Sequence, residues 1–168
     1  MRVKNMSSLK SVAAEIARAA ANLGLSTVEF GVVDDAFAKS MLAEIQMRFV
    51  GRTDLRWWWE AFEVKPAGSI SFASGQGWQY LTAIAPTATE RVWFVAEDIH
   101  EFALYHSTVE GIQAVIGECY GFEYYVVAKD LTWIICENHH DVVIAAGDGV
   151  VDKLRALAAQ LQLPLSGA

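Results

Sequence analysis

Leu9, Val12, Ala13, Ile16, Ala20 and Leu23 recur every three or four positions with Glu15 and Arg18 between them, the pattern of a helix with one apolar face. Ser7 or Ser8 is placed to cap its start and Gly24 to close its end. A second helix is predicted from Asp34 to Val50, on the four-residue spacing of Phe37, Met41, Ile45 and Phe49. Asp34 is its cap, Glu44 and Arg48 form an i, i+4 pair, and Gly51 stops it. Thr27-Val28-Glu29-Phe30 reads as a short extended piece between the two.

Beyond residue 51 helix and strand patterns mix. Leu55, Trp58, Trp59 and Phe62 fit a helical stripe capped by Asp54, and a strand fits nearly as well. Three consecutive tryptophans, Trp57 to Trp59, cannot share one face, so at least one packs apart from its neighbours or stays partly exposed. Ser69 to Phe72 alternates like a strand, Gly75-Gln76-Gly77 is a turn, and Trp78 to Ile84 is a short helix ending before Pro86. Arg91 to Ala96 is a strand running into Glu97-Asp98, and Phe102 to Tyr105 is a weaker one. Ser107-Thr108-Val109-Glu110 fits a capping box, and the helix it opens carries Val109, Ile112 and Ile116 and stops around Gly121.

The aromatic and β-branched runs Phe122–Ala128 and Leu131–Cys136 are separated by Lys129-Asp130 at hairpin distance. A third strand, Asp141 to Ala145, follows a tight turn at Asn138-His139, where Asn138 can take a positive φ. Asp148 then caps a last helix carrying Val151, Leu154, Leu157, Ala158 and Leu161, with Pro164 beyond it. Short turns between strands mean antiparallel pairing, so the expected fold is α+β. It is one domain over residues 1–168, with a mainly antiparallel twisted sheet, flanking helices, and a C-terminal hairpin pair followed by a helix. Residues 1–50 are largely helical and 51–168 mix sheet and helices, with no repeat and no linker.

Composition narrows the functions. A 54% hydrophobic content over 168 residues supports a real core rather than disorder. Net charge is −7 and basic residues are not clustered, which disfavours nucleic acid and favours a basic protein partner. No apolar run approaches the ~18 residues needed to span a membrane. The alanine-rich start is broken by Glu15 and Arg18, unlike a signal peptide, and two cysteines make no disulfide framework. The expectation is a cytoplasmic chain with both thiols reduced. Exposed tryptophans or a free sheet edge would invite a homodimer.

The densest chemistry lies at Cys136-Glu137-Asn138-His139-His140-Asp141. Cys136-x-x-His139 is half of a zinc motif, with His140, Asp141, Cys119, His100 and His106 as further candidates, but none completes a second pair. Adjacent His139 and His140 would tend to point in different directions. A Cys–His nucleophile pair would need a third group to orient the imidazole, and Cys136 ends an apolar strand where a buried thiol is commoner. A hairpin turn presenting its polar groups as a contact surface is the reading that demands least. Glu97-Asp98 is a second acidic cluster, whose neighbouring side chains diverge at a strand end. Gly75-Gln76-Gly77 lacks the third glycine and the strand–helix context of a dinucleotide loop.

Arg91 to Asp98, Phe122 to Val127 and Trp133 to His140 together resemble a group of small bacterial proteins with an aromatic strand pair followed by a Glu-Asn-His turn. More distantly they resemble the SUKH superfamily of α+β domains. The likeness runs from Trp78 onward and leaves Met1 to Val50 aside. Many members of that superfamily are held to be immunity proteins that bind and neutralise toxins, so the resemblance implies a protein-binding role and brings no catalytic set. The expected function is therefore non-enzymatic protein binding, with Glu97, Asp98, Glu137, Asn138, His139, His140 and Asp141 as the binding residues. No catalytic residue, metal or cofactor is assigned. The alternative is a small enzyme or metal protein using Cys136, His139 and His140.

Overall fold

The computed structural model describes residues 11–73, 75–98 and 101–167. Among them are five α-helices: α1 Val12–Asn22, α2 Asp35–Val50, α3 Leu81–Ile84, α4 Val109–Gly117 and α5 Val150–Leu161. Seven strands, β1 Phe30–Val32, β2 Ala67–Ser71, β3 Arg91–Glu97, β4 Phe102–Thr108, β5 Tyr124–Ala128, β6 Trp133–Glu137 and β7 Val142–Gly147, form one sheet. Its order is β1-β4-β3-β5-β6-β7-β2 and every pairing is antiparallel. The fold is α+β, as the runs of strands joined by short turns predict.

Because strand side chains alternate, the sheet buries two different faces. Phe94, Tyr124, Val126, Ile135 and Val143 meet α1, α3, α4 and α5 on one side. Val95, Leu104, Tyr125, Val127, Ile134 and Cys136 meet Ile45 and Phe49 of α2 and the side chain of Trp58 on the other. This explains why β5 and β6 read as continuous apolar runs: all ten of their residues are buried. Each fully buried large apolar side chain contributes about 1.5–3 kcal/mol.

The ends of α2 follow the sequence pattern closely. The Asp34 carboxylate accepts from the Phe37 amide, and Gly51 closes the helix in the left-handed region at φ 73. Elsewhere the local signals yield to pairing. Ser7, Ser8, Leu9 and His100 lie outside the described residues; α1 as described is capped by Ser11, whose hydroxyl accepts from Ala14. The extended piece expected at 27–30 is a turn closed by Glu29 on the Ser26 amide, and β1 starts only at Phe30. The capping box at Ser107 does not form, because β4 continues to Thr108 opposite Arg91. Thr108 caps α4 instead, and Ser107 donates to the Glu29 carbonyl across the sheet. Nor does Asp148 cap α5: Gly149, at φ 79, holds that position without a side-chain bond.

Trp58–Ala61 is one turn of 3-10 helix, neither the α-helix nor the strand weighed from the sequence. It splits the tryptophans as their adjacency requires. Trp58 is 1% exposed between Phe102 and Tyr125, with ring centroids 4.8 Å from each, whereas Trp57 remains 37% exposed and Trp59 half-buried.

Candidate functional site

The β5–β6 hairpin pairs Tyr124 with Glu137 and Tyr125 with Cys136. Alternation then puts Tyr124 and Glu137 on one face of the sheet, and Glu123 with Tyr125 on the other. Both acids are buried at the same end of the sheet. Each is held by more than one donor. Glu137 Oε1 accepts from the Gly77 amide at 2.9 Å, and its Oε2 accepts from the Tyr124 hydroxyl at 2.7 Å. Gly77 has to be glycine, since a Cβ there would overlap Val143 and lie 2.8 Å from Glu137 Oε1. Burial raises the Glu137 pKa above its ordinary value; the bonds from Tyr124, Gly77 and Trp78 pull it back, and the Asp141 charge adds to the rise.

Glu123 is 5% exposed. Its Oε1 accepts from Trp59 Nε1 at 3.0 Å and from the Tyr125 hydroxyl at 2.9 Å, and its Oε2 meets His139 Nδ1 at 3.0 Å. A carboxylate oxygen can only accept, so Nδ1 carries the proton. The Tyr125 hydroxyl in turn accepts from the Trp58 amide. One buried acid thus orients Trp59, Tyr125 and His139, three residues far apart in sequence.

Above Glu123 lies a group of rings. The centroid of His139 is 5.6 Å from that of Trp57, 5.8 Å from Trp59 and 4.1 Å from His140; His140 is also 5.8 Å from Trp59. The two histidines therefore lie side by side instead of diverging. The turn explains this: its corner is His139-His140, with Asp141 in the left-handed region at φ 58, so Asn138 is not the residue of positive φ. Asn138 Oδ1 accepts from the His140 and Val142 amides and locks the loop.

The expected contact surface is accordingly reshaped. Glu137 and Asn138 are buried, not displayed on the hairpin, because the 75–78 turn packs over them. His139 and His140 are exposed and Asp141 half-buried. Glu97 accepts from Arg56 Nε at 2.8 Å, and Arg56 lies 5.6 Å from the Trp57 ring, so Glu97 joins the aromatic group through Arg56. Asp98 turns the other way, accepting from the Ser11 hydroxyl and the Ala13 amide at the start of α1. Cys136 is fully buried on the α2 side, its thiol pushed well above the ordinary value by burial and then by Glu123 and Glu137, so it does not join the histidines. Among the described residues no three His, Cys, Asp or Glu side chains are placed to hold one metal ion.

Glu123, the Trp59 anchor and the paired tyrosines were not singled out by sequence reasoning. One signal was available. Counting one step past the Tyr124–Glu137 pair sets Glu123 opposite Asn138, at the same end of the sheet as the Glu-Asn-His turn.

Between the 119–124 segment and the β6–β7 turn is a cleft of about 490 Å³. Glu123, Glu137, Asn138, His139 and Asp141 supply its polar groups, and Trp78, Ile116, Phe122 and Tyr124 its apolar walls. Cys119 is at its rim, its thiol pushed up to about 11, by burial first.

Fold and site together define a small α+β domain with two buried acids at one end of a wholly antiparallel sheet, one of them carrying a tryptophan–histidine group. The chain belongs to a family of unknown function (DUF6756), whose model matches residues 8–158. No curated protein and no solved structure matches it. Among the described residues no helix is long and apolar enough to cross a membrane.

Proposed function

We propose that the chain is a non-enzymatic protein-binding domain, immunity-like in the sense of the SUKH resemblance, acting in the cytoplasm on a basic protein partner. The observation that carries this reading is the half-exposed group of Trp57, Trp59, His139 and His140, fixed from beneath by Glu123. Tryptophan supplies large contact area at little cost in side-chain entropy, and interface energy concentrates on such anchors. Glu97 and Arg56 form a polar rim beside it, Asp141 lies across His139 in the neighbouring cleft, and the net charge of −7 suits a basic surface. The alternative, an enzyme or metal protein built on Cys136, His139 and His140, loses its thiol to the core.

The test is capture from the source cell with native protein and with Trp57→Ala and His140→Ala, followed by reconstitution of the complex from purified components. The expected result is one basic protein bound at 1:1, with affinity reduced about 30-fold or more by Trp57→Ala, as for a binding hot spot. A purified complex indifferent to both substitutions would overturn the reading, as would no near-stoichiometric partner at all. A second copy of the chain in place of another protein would make the patch a homodimer contact.

A further inference from the structure

His139 forms the wall between the ring group and the 490 Å³ cleft, and the cleft has a chemistry of its own. It gathers three carboxyl groups, those of Glu123, Glu137 and Asp141, and among the described residues no lysine or arginine lines it. A carboxylate can accept about four hydrogen bonds. Glu123 receives three, and Asp141 receives none from a side chain or backbone donor among the described residues. The site is thus rich in acceptors that a cation could share, and its aromatic walls would take a flat guanidinium against their faces.

A separate observation concerns Asn138. The residue is 5% exposed and lines the cleft. Its Oδ1 is committed to the His140 and Val142 amides, which fixes the orientation of the amide. Nδ2 therefore points the other way and meets no acceptor among the described residues. It is not among the sealed unpaired side-chain atoms of the described residues, which are Trp58 Nε1 and Trp93 Nε1, and so is left open on the cleft side, where a ligand could accept from it. A guanidinium cannot do so, whereas a peptide carbonyl can. The cleft volume lies within the range of ligand sites, about 300–1,000 Å³.

We propose that this cleft receives one arginine residue of a peptide chain, its guanidinium shared among Glu123, Glu137 and Asp141 and a backbone carbonyl accepting from Asn138 Nδ2. The assignment rests on the protein-binding reading and gives the partner its chemistry: a protruding arginine presented next to the surface that covers Trp57 and the histidines.

The probe is acetyl-Gly-Arg-Gly-amide, titrated into ¹⁵N-labelled full-length protein. Its citrulline analogue has the same shape without the charge, and agmatine has the cation without the peptide carbonyls. Saturable shifts are expected at the Asn138 side-chain amide and at Gly75 and Trp78. The arginine peptide should bind about tenfold or more tightly than either control, the difference a charge-assisted bond makes. Asp141→Asn suits the left-handed corner and should keep the fold, as the dispersion of the spectrum will show. It should weaken the arginine peptide about three- to tenfold and leave the citrulline peptide unchanged. Equal binding of the citrulline peptide, or no saturable shift in a folded protein, would overturn the proposal. Agmatine binding as tightly as the peptide would overturn its peptide part and assign the cleft to a free organic cation. Trp57→Ala should leave the peptide titration unaltered, so loss of partner capture and loss of arginine binding are separable results.

Discussion

Replacing Glu123 by alanine should be among the costliest single changes at the site. Of its three donors, the Tyr125 hydroxyl is buried and Trp59 Nε1 partly so, whereas His139 keeps 47% of its side-chain surface in water. A hydrogen bond to a charged group contributes about 1.5–3 kcal/mol when sheltered, and an exposed ion pair at most about 1 kcal/mol. Truncation also leaves the Trp59 N–H without its acceptor and breaks the chain from the Trp58 amide through Tyr125. The expected loss is about 3–5 kcal/mol, a large part of the 5–15 kcal/mol typical of a domain. Glutamine retains an oxygen for Trp59 and Tyr125 and surrenders only the charge and the His139 contact, so Glu123→Gln should cost about 1–2 kcal/mol. Urea unfolding followed by tryptophan fluorescence measures both, with an unchanged m-value as the check that only the native contacts have altered. A loss below about 1 kcal/mol for alanine would refute the idea that Glu123 anchors the ring group, and so would a glutamine variant as unstable as the alanine one.

Three further outcomes follow from the same geometry. Folded protein at pH 8 should show no fast-reacting thiol: Cys136 is sealed and Cys119 is raised to about 11, so iodoacetamide labelling of Cys119 should be slow and accelerate toward that pH, while rapid labelling of Cys136 would contradict its burial. Glu137 holds its proton more tightly folded than unfolded, so its contribution to stability is fully present below the ordinary value of 4.5 and is lost as pH rises through the raised folded value. Native protein should therefore lose stability relative to Glu137→Gln between pH 4.5 and that folded value in paired denaturation curves, and the opposite slope would show the acid is not penalised by burial. Gly147→Ala, at φ 102 with the Thr132 carbonyl where a Cβ would go and Trp133 Cα 2.8 Å away, should cost more than about 3 kcal/mol in thermal unfolding; a mild effect would show that the β6–β7 ladder yields there.

What could be read from the chain was what local pattern controls. Asp34 and Gly51 bound α2 because a cap and a left-handed stop act within one turn, and β5–β6 announced itself because both strands are buried on both faces. Ser107 and Asp148 were misread for the complementary reason: each has the right local chemistry, but cross-strand pairing with Arg91 and a glycine at the next position decide the outcome. At the site, the Glu-Asn-His turn was visible as a hairpin end, whereas the burial of Glu137 depends on Gly77, 60 residues away. Glu123 was invisible as an anchor because its partner Trp59 lies 64 residues upstream, in a run of tryptophans whose split between core and surface no periodicity could assign.

β2 is the last strand of the sheet on one side, and an open edge of that kind is a template for pairing with other chains. Here the segment after α5 turns back, Leu163 and Leu165 settle against the core, and Ser69 and Ser166 exchange both of their backbone hydrogen bonds at 2.9 and 3.0 Å. Five residues past the helix thus act as a stopper on strand-to-strand growth. Their loss would be felt less as a fall in melting temperature than as the onset of concentration-dependent self-association.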